Sequence, residues 1–73
     1  MTKEELIEQL EDMLMLDSGE LVLNKELVDY EDWDSMSYLT LIAMFDTKLN
    51  KKLSVGTIKE FRTPNDIIKH AGL

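Results

Sequence analysis

The chain has 73 residues, 44% of them hydrophobic, and a formal net charge of −7 from 15 acidic and 8 basic side chains. A domain this small buries only about 60% of its extended surface, and an enzyme cleft of ~300–1,000 Å³ needs a larger scaffold, so a carrier, binding or interaction role is favoured. With no cysteine and one histidine, His70, the chain has no disulfide framework, thiolate metal site or multi-histidine centre, and its acidity disfavours nucleic acid and anionic lipid as partners.

The N-terminal stretch MTKEELIEQL alternates charged and apolar residues and lacks a signal-peptide core. No segment approaches the ~20 apolar residues that span a bilayer. The expectation is one domain over residues 1–73, monomeric, cytoplasmic and not inserted in a membrane. Charge is unevenly spread: residues 1–34 carry −10 and residues 35–73 carry +3.

The first helix opens on a capping box, Thr2 with Glu5 three residues on. Leu6, Leu10, Met13 and Leu14 recur at helical spacing, Ile7 widens the stripe, and Asp17-Ser18-Gly19 is the expected stop. Residues 17–34 then form a long connection rich in apolar side chains: Leu21, Val22, Leu23, Leu27, Val28, Tyr30 and Trp33. Loops of this length in compact domains are functional or packed down, so these residues are read as anchors onto the core. A short strand over 20–23 is the alternative, with no obvious partner strand.

The second helix is expected from about Ser35 to about Leu49, with Tyr38, Leu41, Ile42, Phe45 and Leu49 as its core face. Met36, Leu39, Ala43 and Met44 lie mostly outside that stripe. A surface helix needs only one apolar stripe, so part of the remainder is available to a partner or cargo. Ser54 is placed to cap a short helix from Val55 to about Phe61, and Thr63-Pro64 gives cap and first-turn signals for a last helix ending at Gly72. The predicted fold is all-α: a small antiparallel four-helix bundle, three main helices and one short, with a long loop between helices one and two.

The segment DWDSMSYL, residues 32–39, puts Asp34 and Ser35 directly before the second helix. Either side chain is a suitable helix cap. The Asp34-Ser35-Met36 triplet resembles the Asp-Ser-Leu signature of acyl and peptidyl carrier proteins, and the helix–long loop–helix–short helix–TPNDII order resembles that family over the whole chain. The resemblance implies that Ser35 receives 4′-phosphopantetheine from coenzyme A, flanked by the signature residues Asp34 and Met36. It also implies that the arm carries acyl, aminoacyl or peptidyl groups as thioesters, and that the carrier is not itself an enzyme. Its implied partners are a phosphopantetheinyl transferase and the enzymes that load and process the cargo in fatty acid, polyketide or related biosynthesis. Ser35 has no neighbouring base, since His70 lies in the last helix, so activation must come from outside the chain.

Met36 replaces the usual Leu, as in the D-alanyl carrier branch, and Trp33 resembles specialised rather than housekeeping carriers. Fatty-acid carriers bear several acids along the second helix; here Asp46 is the only one, and Lys48, Lys51, Lys52, Lys59 and Arg62 stand in or after it. Steering by this helix is therefore weak or reversed in sign, and its partners are expected to present a more apolar or acidic face. Partner contacts are expected at Trp33, Leu39, Thr40, Ala43, Met44 and Thr47, and cargo-lining residues at Leu39, Ile42, Phe61 and Ile67. The acids Asp29, Glu31, Asp32 and Asp34 lack the spacing and Gly of a calcium loop and read as a solvated acidic loop. The rival reading is a small helical interaction domain with no prosthetic group, docking through Met36, Leu39 and Met44.

Overall fold

The computed structural model describes residues 1–73 and consists of α1 (Lys3–Met13), a 3₁₀ turn (Leu27–Asp29), α2 (Ser35–Leu49), α3 (Val55–Glu60) and α4 (Pro64–Ala71). The expected all-α bundle with its long first loop is what forms, and residues 20–23 are loop rather than strand. None of the helices is long and apolar enough to cross a membrane.

The start of α1 follows from its first residues. The Glu5 N–H donates to Thr2 Oγ1 (3.1 Å) and the Thr2 N–H donates to Glu5 Oε1 (2.9 Å), the two halves of a capping box. Hydrogen bonds from Thr2, with the terminal ammonium and Lys48 nearby, hold the Glu5 carboxyl below its ordinary range. The end of α1 differs from expectation: the helix stops at Met13, before Asp17-Ser18-Gly19. Met15 takes a left-handed conformation (φ 60°), and the amides of Leu16 and Met15 donate to the carbonyls of Glu11 (2.8 Å) and Asp12 (3.2 Å). The reason is packing. Leu14 is buried and Leu16 packs against the core, yet residues two apart on a helix point about 200° away from each other. Only by leaving the helix does the chain turn both inward.

The loop is held at fewer apolar points than its composition promises. Leu27 and Tyr30 are buried, and Leu21, Leu23 and Trp33 pack against the core. Val22 and Val28 point to solvent, so they are not anchors. Polar contacts do the remaining work. Glu11, buried on α1, accepts from the amides of Gly19 (2.8 Å) and Leu21 (3.1 Å) through Oε2. Tyr30 Oη accepts from Val22 N–H (3.0 Å) and donates to the Val22 carbonyl (3.2 Å). Two backbone bonds, Leu27 N–H to Arg62 O (2.7 Å) and Asn65 N–H to Leu23 O (3.1 Å), tie the loop to the junction of α3 and α4.

The residues that α2 buries are Ser37, Leu41, Met44 and Phe45. Tyr38, Ile42 and Leu49 sit at the edge of the core, so the inward face is turned slightly from the expected one. Met44 is corrected by this: at 8% exposure it belongs to the core, not to a docking patch. It stands three residues after Leu41 and one before Phe45, on the side those two bury.

The bundle closes at its far end through Lys51, whose ammonium donates to the carbonyls of His70 (3.2 Å) and Ala71 (3.1 Å). A cation there satisfies the last carbonyls of α4 and complements its dipole. Because Lys51 follows α2 directly, α2 and α4 finish at the same end. α1 runs against both, since Lys48 near the end of α2 acts on Glu5 near the start of α1. Ser54 Oγ accepts from Thr57 N–H (3.2 Å) and starts α3 as expected. At the start of α4, Asp66 Oδ2 accepts from the amides of Arg62 (2.9 Å) and Thr63 (3.1 Å), and these bonds hold its carboxyl below the usual carboxylate range.

Two outcomes test these pins. Glu11→Ala strips two loop amides of their acceptor and is expected to lower stability by about 1–3 kcal/mol, with Glu11→Gln milder because its amide oxygen still accepts; a urea midpoint unchanged by Glu11→Ala would contradict the role. For Asp66 the folded-state value is depressed, so its contribution is fully present above the unfolded value near 3.9 and disappears as pH falls through the lower folded value. The gap in melting temperature between wild type and Asp66→Asn should therefore be widest at neutral pH and close as pH falls below the ordinary carboxylate range.

Candidate functional site

The first turn of α2 settles which of its two candidate caps acts as one. Asp34 is the N-cap, in extended conformation (φ −145°, ψ −171°). Its Oδ1 accepts from the amides of Met36 (3.0 Å) and Ser37 (3.2 Å). Ser37 completes the box: its Oγ accepts from Asp34 N–H (2.9 Å) and donates to the Asp34 carbonyl (2.7 Å). Ser35 stands between the two partners, exposed, with its hydroxyl outside this set of bonds. Trp33 is fixed just upstream by its N–H to the Tyr30 carbonyl (3.2 Å) and by edge-on packing against Tyr38, ring centroids 5.2 Å apart. A rigid, doubly bonded turn thus presents one free hydroxyl to solvent.

Ser37 was not singled out from the sequence. The signal was there, since Asp34 and Ser37 have the spacing of a capping box, but Ser at the third position is a weaker cue than Glu or Gln. The capping also bears on what the helix end offers an anion. A bare N-terminus presents several amides to a phosphate; here Asp34 has taken those of Met36 and Ser37. The residues present fit covalent attachment at an exposed hydroxyl and do not form a phosphate cradle.

No base is aimed at Ser35. Asp34 Oδ1 is committed to amides, and the His70 ring lies between Phe61 (5.4 Å) and Phe45 (6.0 Å). Phe45 is ten residues along α2 from Ser35, about 15 Å of helix. A Ser35–His70 pair is therefore not formed, and chemistry at this hydroxyl requires a base from another molecule. No set of three His, Cys, Asp or Glu side chains converges as metal ligands.

The solvent face of α2 holds most of the other expected residues. Met36 is 71% exposed and Leu39 60%, and Thr40, Ala43 and Thr47 are exposed with them. Thr40 Oγ1 donates to the Met36 carbonyl (3.2 Å) and Thr47 Oγ1 to the Ala43 carbonyl (2.9 Å). Both hydroxyl protons are turned back on the helix, which makes this face more apolar than its composition. Beside it runs an open groove of about 300 Å³ lined by Leu39, Ile42, Ala43, Asp46, Lys52 and Leu53. Of the four cargo-lining expectations, Leu39 and Ile42 reach this groove. Phe61 lies instead beside His70, and Ile67 is fully buried core. The one ion pair in the chain, Arg62–Glu26 (2.8 Å), is elsewhere, so Lys48, Lys52 and Lys59 are unpaired.

Neither the curated proteins nor the solved structures compared with the chain gave a match. The family model for a phosphopantetheine attachment site matches residues 4–71. That span takes in all four helices and the exposed Ser35, and the chain belongs to this family of non-catalytic carrier domains, the attachment site for 4′-phosphopantetheine.

Proposed function

We propose that Ser35 is the attachment residue and that the protein is an acyl carrier, holding acyl or aminoacyl intermediates as thioesters and delivering them to enzymes of fatty acid, polyketide or related biosynthesis in the cytoplasm. The observation that supports this most directly is the division of labour at the start of α2. Asp34 and Ser37 cap the helix, while the Ser35 hydroxyl is exposed and uncommitted. The group attached there supplies a terminal thiol on a flexible arm. Since the chain has no cysteine, that thiol has no intramolecular competitor for a thioester.

The side chains around Ser35 serve recognition. Asp34 fixes the turn, Met36 and Leu39 present apolar surface beside the hydroxyl, and Trp33, Thr40, Ala43 and Thr47 extend the contact area. With Asp46 the only acid on α2, docking here rests on apolar contact rather than on the carboxylate steering common among fatty-acid carriers. This is the feature that favours a specialised, including an aminoacyl, pathway over the housekeeping one.

Intact mass after incubation with coenzyme A and a broad-specificity phosphopantetheinyl transferase is the direct test. One phosphopantetheine should be added, and Ser35→Ala should abolish the gain while leaving stability within about 0.5 kcal/mol of the parent, because Ser35 is not the cap. Asp34→Ala should lose about 1 kcal/mol. A folded protein that gains no mass, or gains it equally in Ser35→Ala, overturns the assignment. For docking, Leu39→Ser is expected to lower the transferase kcat/KM about tenfold, equivalent to ~1.4 kcal/mol, whereas Lys48→Glu with Lys52→Glu changes it little. A loading rate that collapses as salt rises would speak against apolar docking.

A further inference from the structure

A second groove, of about 370 Å³, lies between the end of α1 and the loop. Leu14, Leu16 and Tyr30 line its inner part, and Met15 and Val22, 78% and 49% exposed, stand in it as unpaired apolar side chains. Four carboxylates, Glu20, Asp29, Glu31 and Asp32, complete the lining, and none of them is in an ion pair. The only cation present, Lys25, has its ammonium over the Tyr30 ring at 4.5 Å. The acids do not converge as metal ligands.

We infer that this groove is a docking surface for a protein segment that presents Arg or Lys side chains around an apolar one. The chemistry of the walls decides the occupant. Exposed apolar side chains gain by burial against another apolar surface, and a rim of four carboxylates against one ammonium, net acidic, draws a cationic surface and repels polyanions such as nucleic acid or anionic lipid. The face along α2 has the opposite character, apolar with unpaired lysines, so the groove selects a different partner surface. Nothing in this inference depends on Ser35 or on what is attached to it.

The conformation of Met15 supplies a clean variant. Its left-handed φ of 60° suits Gly better than Met, so Met15→Gly removes the apolar contact while relieving the backbone, and it should melt no lower than the parent. The probe is a synthetic amphipathic helix of Leu and Arg, titrated into the ¹⁵N-labelled full chain, with a Leu/Glu helix as the sign control. Amide shifts are expected to concentrate at residues 14–32 with the Arg peptide and to be absent there with the Glu peptide. Met15→Gly should bind about tenfold more weakly, and Asp29→Asn with Glu31→Gln and Asp32→Asn should flatten the salt dependence. Shifts spread equally over Glu4, Glu8 and Asp12 on α1, or binding by Met15→Gly within about twofold of the parent, would overturn the proposal.

Discussion

The carboxylate of Asp34 is the interaction on which the site depends. By accepting from the amides of Met36 and Ser37 it fixes where α2 begins and in which direction the first turn faces. Ser37 locks that carboxylate's own backbone from the other side. The side chain of Ser35, between them, is left with nothing to hold, and its hydroxyl meets solvent. Had Ser35 been the cap, its oxygen would be aimed into the helix end and shielded by it. The same local rule that stabilises the helix therefore decides which hydroxyl is available for chemistry, and the chain supplies no base to perform it.

The long loop gives this turn its position in space. A loop of such length is normally the least stable part of a domain, yet here its backbone is bonded at intervals to α1 through Glu11, to itself through Tyr30, and to the α3–α4 junction through Leu23 and Leu27. Each bond satisfies a backbone group that a packed loop would otherwise bury without a partner. Trp33, packed edge-on against Tyr38, carries that order up to Asp34. Bonds and ring contacts thus run without a break from the loop into the start of α2.

Charge is divided between two surfaces. The α1 and loop side keeps most of the acids, and the side formed by α2 and α3 keeps unpaired lysines beside apolar residues. Surface charges steer encounter and reject wrong partners more than they add affinity. Carrier domains of this family meet transferases and biosynthetic enzymes, and the two faces of this one differ in the sign of their charge.

Sequence by itself determined the features that rest on neighbours along the chain. The Thr2–Glu5 box, the start of α2 after Asp34, the Ser54 cap and the Thr63-Pro64 entry into α4 each depend on side chains reaching amides two or three residues away, so their signals are local. The all-α class and the exposure of Ser35 followed from the same signals together with the family resemblance. Tertiary structure decided the rest. Which side of α2 goes inward depended on the other helices, and that buried Met44, which spacing alone had left outside. Where α1 ends depended on the need to turn both Leu14 and Leu16 toward a core that the sequence does not draw. Glu11 carries no cue of its own in the sequence, and is a buried anchor because amides eight and ten residues on are folded back onto it. Val22 and Val28 were apolar without being anchors for the converse reason: the loop path, set by distant partners, turned them outward. Interactions that close over a few residues can be read in order, whereas those that close across the bundle exist only once the bundle has formed.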